Sequence, residues 1–349
     1  MNSQSSNLPS YPEHNPDTSP VATEIHAEIS HELRTPLTSI RGALGLLLSG
    51  KIAPETPQGQ NLLKIAADNT DRLLRLTTSL EEDRNTVGNL LSNDALERLR
   101  LENDLFNAWK QREFVVFYQP IVSTQAQQIR GFETLIRWQH PRQGLISPAI
   151  FIPIAEQTHL IHDIGLWVFE QACAQLQIWQ QQFPGERPLT LSVNLSPLQL
   201  LHPNLAEEFL TRFRRYDLAP ESLCVEITES TVIENPLAIA TVQALKNAGL
   251  KIYLDDFGTG YSCLARLHQF PVDVLKIDRF FVCQQQWDMI KGILQLALSL
   301  GLEVITEGVE TDEDLAQMKQ LNCPSFQGFW FSRPLPQASA TQLLNAAQV

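Results

Sequence analysis

Cysteine, long apolar runs and positive charge are all scarce in this chain. Its five cysteines are scattered through 349 residues, at spacings that fit neither a zinc motif nor a disulfide framework, so reduced thiols are expected. The sequence has no run of ~18 apolar residues, and it begins with neither the basic stretch nor the apolar core of a signal peptide. These absences predict a cytoplasmic protein without a membrane partner.

The charge balance is acidic. The 39 Asp and Glu residues outnumber the 26 Lys and Arg residues, which gives a formal net charge of −13 and a pI near 5.1. Binding to a DNA or RNA polymer is disfavoured, because phosphate backbones demand a basic face. A small phosphorylated ligand is not excluded, since a few local cations can meet its phosphates.

The first hundred residues differ in composition from the rest of the chain. Residues 1–22 are rich in Ser, Pro, Asn and Thr and poor in large apolar side chains, which predicts a disordered tail. Residues 23–85 carry apolar residues at intervals of three and four, which predicts two amphipathic helices. Thr56 and Pro57 suit the N-cap and first turn of the second helix. Residues 86–100 are expected to form a helical linker.

The predicted hairpin has one apolar face and little core of its own. Pairing with a second copy would bury that face, so we expect a homodimer in which two hairpins form a four-helix bundle. The positions of the face are Ile25, Ile29, Leu33, Pro36, Ile40, Ala43 or Leu44, and Leu47 in the first helix, and Leu62, Ala66, Asn69, Leu73, Leu76 and Leu80 in the second.

Eight short apolar runs recur between Phe114 and Phe331, mostly separated by stretches long enough for a helix. This order predicts an α/β fold over residues 101–349, a (β/α)8 TIM-like barrel whose chemistry lies at the C-terminal ends of its strands. One polar residue near the end of a run could merely close a strand or cap a helix. The whole set predicts one site, and its members are Gln119, Glu133, Asn194, Glu226, Asp255 with Asp256, Lys276, Glu307 and Gln327.

Four of these residues offer only oxygen ligands, which favours Mg²⁺ or Mn²⁺ over Zn²⁺. They are Glu133, Asn194, Glu226 and Asp255. Asp256 and Glu307 add two carboxylates, so a second ion sharing Asp255 is expected, and two such ions are a recurring device for cleaving phosphodiesters. Lys276 supplies positive charge near the attacking water or the phosphate. Carboxylates packed this densely repel one another, which itself favours bound cations.

A series of short motifs runs from about Leu99 to the C-terminus. In chain order the motifs are Tyr118-Gln119-Pro120, Glu133-Thr134-Leu135-Ile136-Arg137, Phe151-Ile152-Pro153 with Ala155-Glu156, Asn194-Leu195-Ser196, Glu226-Ile227-Thr228-Glu229, Asp255-Asp256-Phe257-Gly258-Thr259-Gly260, Leu275-Lys276-Ile277-Asp278, Glu307-Gly308-Val309-Glu310 and Gln327-Gly328. With these motifs this part of the chain resembles the EAL family of cyclic-di-GMP phosphodiesterases. Thr134 stands in place of the alanine of the Glu-Ala-Leu signature, a change that removes no ligand.

The resemblance implies a role for each matching residue. It places the first metal ion on Glu133, Asn194, Glu226 and Asp255, and the second on Asp255, Asp256 and Glu307. It makes Lys276 act on the nucleophilic water, so that Lys276, Glu307 and Glu133 are the expected catalytic residues. For the substrate it implies that Arg137 engages a phosphate and Leu135 packs on a guanine. Further polar contacts are expected from Gln119, Asp278, Glu310 and Gln327, and Glu229 is expected to stabilise the loop after the paired aspartates.

The first predicted helix contains Ser30-His31-Glu32-Leu33-Arg34-Thr35-Pro36-Leu37, which resembles the phosphoacceptor box of sensor histidine kinases. The resemblance implies a dimerisation domain in which His31 is a candidate phosphoacceptor, assisted by Glu32 and Thr35. The chain passes from this segment into the barrel without the ATP-binding domain of a kinase, so autophosphorylation is not expected. A histidine kinase or response regulator could phosphorylate His31 in trans, or the hairpin could serve only for dimerisation.

The combined expectation is metal-dependent hydrolysis of cyclic-di-GMP to linear pGpG, regulated through the N-terminal module. A different function class remains open, in which the barrel is a receptor that binds cyclic-di-GMP without turnover and signals to a partner protein. A third alternative is a phosphotransfer adaptor with an inert barrel, which the complete set of acids disfavours.

Overall fold

The computed structural model describes residues 36–48, 52–67, 69–70, 73, 93–185, 188–228, 235–258, 267 and 270–347. The chain forms two compact units, residues 1–100 and 101–349. The predicted tail 1–22 lies outside the described residues, as do His31, Glu32, Thr35 and Glu229. No helix of the described ranges is long and apolar enough to cross a membrane.

The N-terminal unit contains helix α1 at residues 36–48 and helix α2, which begins at residue 57. Thr56 caps α2 as expected, because its Oγ1 accepts a hydrogen bond from the backbone N of Gly59 at 3.0 Å. Several leucines of these helices are exposed, among them Leu44 at 39% and Leu48 at 87%. The dimeric bundle that would cover them stays a prediction.

The larger unit is built on ten strands in the described ranges. In chain order they are β1 (Phe114–Ser123), β2 (Ile129–His140), β3 (Gly144–Ile146), β4 (Thr190–Asn194), β5 (Leu223–Thr228), β6 (Lys251–Phe257), β7 (Val274–Ile277), β8 (Glu303–Glu307), β9 (Ser325–Gln327) and β10 (Leu335–Pro336). The sheet order is β10-β1-β9-β8-β7-β6-β5-β4-β2-β3, and β1 also pairs with β2. That extra pairing closes eight strands into a barrel, which confirms the predicted fold class.

One strand departs from the all-parallel barrel that the sequence predicts. Strands β2 and β4 to β9 run parallel to one another, whereas β1 is antiparallel to both of its barrel neighbours, β2 and β9. The loop between β1 and β2 covers only residues 124–128. A parallel crossover needs about a dozen residues or more, so this short connection makes a hairpin instead.

Helices surround the barrel and alternate with its strands. They are α3 (Asn93–Gln111), α4 (Pro148–Gln157), α5 (Leu160–Gln182), α6 (Pro197–Leu200), α7 (Leu205–Phe213), α8 (Pro236–Asn247), α9 (Arg279–Cys283), α10 (Trp287–Leu300), α11 (Asp312–Gln320) and α12 (Gln337–Ala347). The longest, α5, has Trp179 fully buried in contact with Tyr118 and Phe132, at ring-centroid distances of 4.9 and 4.8 Å. These aromatic contacts anchor α5 to β1 and β2.

Candidate active site

The predicted polar residues share one face of the barrel strands with a small apolar cluster. That cluster contains Ile121, Cys224, Tyr253, Val274 and Ile305. Each member stands two positions from a polar residue on the same strand, and strand side chains alternate with a period of two. The resulting pairs are Ile121 with Gln119, Cys224 with Glu226, Tyr253 with Asp255, Val274 with Lys276 and Ile305 with Glu307. Apolar packing at one level therefore positions a layer of polar side chains at the next.

Lys276 lies at the centre of this polar layer and is fully buried. Its Nζ is 2.6 Å from Glu226 Oε2 and 2.6 Å from Glu307 Oε1. Asp255 Oδ1 is 3.1 Å away and Glu133 Oε2 is 3.5 Å away. Four carboxylates from four strands thus converge on one ammonium group, and the structure brings together the predicted cluster around a single point.

Burial and mutual repulsion shape the electrostatics of the site. Burial alone would lower the pKa of the Lys276 ammonium, but the surrounding carboxylates, led by Asp255, outweigh it and raise that pKa well above its usual range. Burial, with repulsion from Glu133 added, raises the pKa of the Glu226 carboxyl well above its usual range. Burial also raises the pKa of Glu307 to about 7. The single lysine does not offset the negative charge gathered around it.

Amide side chains fix the orientation of Glu133. Asn194 Nδ2 donates to Glu133 Oε1 at 2.7 Å, and Gln327 Nε2 donates to Glu133 Oε2 at 2.6 Å. Gln327 Nε2 also donates to Gln119 Oε1 at 3.0 Å. Gln119 and Gln327, expected to contact substrate, are buried and support a carboxylate here, and their substrate role stays a prediction.

A local irregularity brings Asp255 and Asp256 to the same site. Adjacent residues of a regular strand point to opposite faces, but the β6 to β7 register shifts between Leu254 and Phe257, and Asp256 has φ of +54°. Burial, with repulsion from Asp255 and Asp278 added, raises the pKa of Asp256 to about 6. The sequence predicts that both aspartates belong to one site, but it does not predict the bulge that brings them together.

The remaining predicted residues lie around the polar layer. Leu135 and Arg137 follow Glu133 at alternate positions of β2, so all three side chains share one face of the strand. Burial lowers the pKa of the Arg137 guanidinium, and the negative charge of Glu133 opposes that shift. Asp278 caps α9, accepting from the backbone N of Phe280 at 2.7 Å. Glu310 is exposed, and its backbone N donates a hydrogen bond to Asp314 Oδ2 at 3.1 Å.

The donor set fits hard divalent cations. Five carboxylates and one ammonium carry a formal charge of −4, which two divalent ions would neutralise. Glu226 Oε1 is buried and has no hydrogen-bond partner among the described residues, so this oxygen is available as a ligand for a cation. Oxygen donors without imidazole or thiol are the ligands that Mg²⁺ and Mn²⁺ prefer.

Two family profiles match the chain. One, described as the EAL domain, matches residues 102–334. The other, described as the His Kinase A (phospho-acceptor) domain, matches residues 23–85. The second match covers the segment whose phosphoacceptor box is recognisable in the sequence.

Curated relatives match about seven tenths of the chain. The bifunctional diguanylate cyclase/cyclic di-GMP phosphodiesterase MucR of Pseudomonas aeruginosa is 39% identical over 257 residues, which are 72% of this chain and 37% of MucR. The cyclic di-GMP phosphodiesterase NbdA of the same organism is 34% identical over 258 residues, which are 72% of this chain and 33% of NbdA. The chain spans about a third of the length of these relatives.

Solved structures agree with the sequence matches. The MucR phosphodiesterase in complex with c-di-GMP is 38% identical with a TM-score of 0.66, and the match covers 70% of this chain and all of that one. The EAL enzyme Bd1971, with cAMP and cyclic-di-GMP bound, is 30% identical with a TM-score of 0.69, covering 83% of this chain and 80% of that one. Because the EAL profile matches more than half of the residues, over the strands that assemble the carboxylate layer, the chain belongs to the EAL domain family.

Proposed function

We propose that the barrel hydrolyses cyclic-di-GMP to linear pGpG with the help of two divalent ions, Mg²⁺ or Mn²⁺. The observation that carries this proposal is the convergence of Glu133, Glu226, Asp255 and Glu307 on the buried Lys276. The relatives support it, since the names of MucR and NbdA give them phosphodiesterase activity on this dinucleotide and one MucR structure contains it.

The side chains divide into two ligand groups that share Asp255. Glu133, Asn194, Glu226 and Asp255 would hold the first ion, and Asp255, Asp256 and Glu307 would hold the second. When bound, such ions activate a water and offset negative charge on the phosphodiester. Glu226 Oε1, which is buried and has no hydrogen-bond partner within the described ranges, gives the first group an available ligand atom.

The protein's own groups position the reactants. Asn194 and Gln327 hold both oxygens of Glu133 in place, so this carboxylate is oriented before any ligand arrives. Lys276 provides a positive charge for the attacking water or the phosphate, because its side chain is buried and its ammonium is held among four carboxylates.

Substrate contacts are assigned from the same strand face and the surrounding loops. Arg137 would engage a phosphate and Leu135 would pack on a guanine, since both share the β2 face of Glu133. Asp278 and Glu310, together with the buried pair Gln119 and Gln327, complete the proposed polar lining.

The test compares two substitutions on strand β8. The chain is incubated with cyclic-di-GMP and Mg²⁺ or Mn²⁺, and pGpG is followed by chromatography for the unsubstituted chain, Glu307→Gln and Glu303→Gln. Glu307 contacts Lys276 at 2.6 Å, whereas Glu303 is 72% exposed at the opposite end of the same strand. We expect metal-dependent product from the unsubstituted chain and from Glu303→Gln, and a loss with Glu307→Gln of about 10²-fold or more.

The same assay separates hydrolase from receptor. Tight binding of cyclic-di-GMP with no product in either metal would contradict hydrolysis and favour a receptor that signals to a partner. Product formation at equal rates by Glu307→Gln and Glu303→Gln would contradict the assigned site.

For the N-terminal module we propose dimerisation through the helical hairpin, with His31 as a phosphoacceptor for a histidine kinase or response regulator acting in trans. The His Kinase A match over residues 23–85 and the exposed leucines of α1 support this. Analytical ultracentrifugation and turnover are measured for the full chain and His31→Ala, with a cognate phosphodonor present. If neither dimerisation nor turnover changes, the signalling role is wrong and dimerisation alone remains.

A further inference from the structure

Two histidines and a glutamate form a cluster outside the carboxylate layer. His162 lies in the first turn of α5, His202 follows α6, and Glu208 lies on α7. The imidazole rings of His162 and His202 are stacked, with centroids 3.8 Å apart and planes inclined by 28°. One ligand atom from each of the three residues lies within 4.8 Å of the other two.

Three polar atoms of this cluster are buried and have no hydrogen-bond partner in the described part of the chain. They are His162 Nδ1, His202 Nδ1 and Glu208 Oε2. Glu208 Oε2 also lies 2.8 Å from His162 Nε2, close enough for an ion pair when that imidazole is protonated. Because buried polar atoms in native structures are normally satisfied, these three atoms point to a ligand that the cluster holds in common.

The backbone around the cluster is held firmly. Ser196 and Gln199 form a capping box that fixes the start of α6, in which Ser196 N donates to Gln199 Oε1 at 3.1 Å. The backbone N of His202 donates to Gln199 O at 2.9 Å. His162 and Glu208 stand on helices that pack against each other. The three side chains are therefore presented by ordered elements, as a binding site requires.

We propose that His162, His202 and Glu208 bind a divalent transition-metal ion of the Zn²⁺ type, with water as the fourth ligand. Two imidazoles and one carboxylate are a ligand set that Zn²⁺ uses and that Mg²⁺ does not favour. The bound ion links α5, the segment after α6 and α7, and so braces the connection that follows Asn194 on β4. This site is separate from the oxygen-only set around Lys276 and does not depend on the activity proposed for that set.

The experiment measures Zn²⁺ binding to the full chain by equilibrium dialysis, with Mg²⁺ in large excess to occupy the oxygen-only carboxylates. The variants are His202→Ala and Glu208→Gln, and the matched control is Glu207→Gln, which removes a charge from the neighbouring exposed position of α7. We expect one Zn²⁺ per chain in the unsubstituted chain and in the control. Affinity should fall at least tenfold in each variant.

Two further measurements test whether the bound Zn²⁺ contacts these three residues. X-ray absorption of the Zn²⁺-loaded chain should show scattering from imidazole, and Zn²⁺ should raise the melting temperature of the unsubstituted chain and the control but not of the variants. Zn²⁺ uptake that His202→Ala and Glu208→Gln leave unchanged, or a Zn²⁺ spectrum without imidazole, overturns the proposal. Failure to bind Zn²⁺ at all also overturns it and leaves a stacked histidine pair.

Discussion

Replacing Lys276 by methionine tests whether this lysine holds the carboxylate layer together. The substitution keeps an unbranched side chain, one atom shorter than that of lysine, and removes its charge. It leaves four carboxylates whose oxygens lie 2.6 to 3.5 Å from the former ammonium position, with no cation among them. Loss of one partner from a buried ionic cluster costs about 3–5 kcal/mol. For a domain of this size the loss corresponds to a fall in melting temperature of about 6–20 °C.

Divalent ions should reverse much of that loss. In Lys276→Met the five carboxylates carry −5 instead of −4, so the site gains more from binding two divalent ions than it does in the unsubstituted chain. We therefore expect Mn²⁺, compared with EDTA, to raise the melting temperature of Lys276→Met more than that of the unsubstituted chain. Turnover should still be low, by about 10²–10⁴-fold, because ions do not replace the positioned ammonium.

The assay is thermal unfolding in EDTA and in Mn²⁺, followed by chromatography of the product. Lys251→Met is the matched control, since Lys251 pairs with Glu303 at 3.0 Å at the exposed end of β8. This substitution should lower the free energy of unfolding by at most about 1 kcal/mol. A melting temperature of Lys276→Met in EDTA equal to that of Lys251→Met would refute the central role of Lys276. An equal response of both variants to Mn²⁺ would refute the charge argument.

Three further outcomes are expected. Removing divalent ions with EDTA should abolish turnover, and adding Mn²⁺ should restore it; turnover that survives EDTA would count against the proposed mechanism. Gly328→Ala should lower the unfolding free energy by about 1–3 kcal/mol in urea titrations, because a Cβ at this position collides with the backbone carbonyl of Val309. Gly292→Ala is the control and should cause no such loss, because a Cβ at that position meets nothing within 4 Å. Among the described cysteines, exposed Cys283 should react with iodoacetamide at pH 8, while Cys224, whose pKa burial raises to about 12, should react only after denaturation, as peptide mass spectrometry can show.

The order of the barrel strands was predictable from the apolar runs for two reasons. Every strand of a closed barrel pairs with a strand on each side, and the side chains along a strand alternate between the interior and the exterior of the barrel. Each of the eight predicted runs overlaps a barrel strand, although the last run extends beyond β9, which ends at Gln327. The reversed direction of β1 was not predicted, although the signal was present in the five residues that separate Ser123 from Ile129. The number of residues in this connection would have predicted the antiparallel direction of β1, since five residues cannot form a helical crossover.

Which residues form the candidate site was visible in the sequence, but how they are held was not. Gln327 and Glu133 are joined by a hydrogen bond across 194 positions, and no local pattern records that contact. The same limit explains why His162 and Glu208 escaped notice, since they belong to separate helices and match no spaced motif. Residue types at strand ends thus predict the chemistry of a barrel site, while the direction of each hydrogen bond determines which carboxylate oxygens stay free for a cation. Glu226 Oε1 is such an oxygen, and only the folded arrangement identifies it.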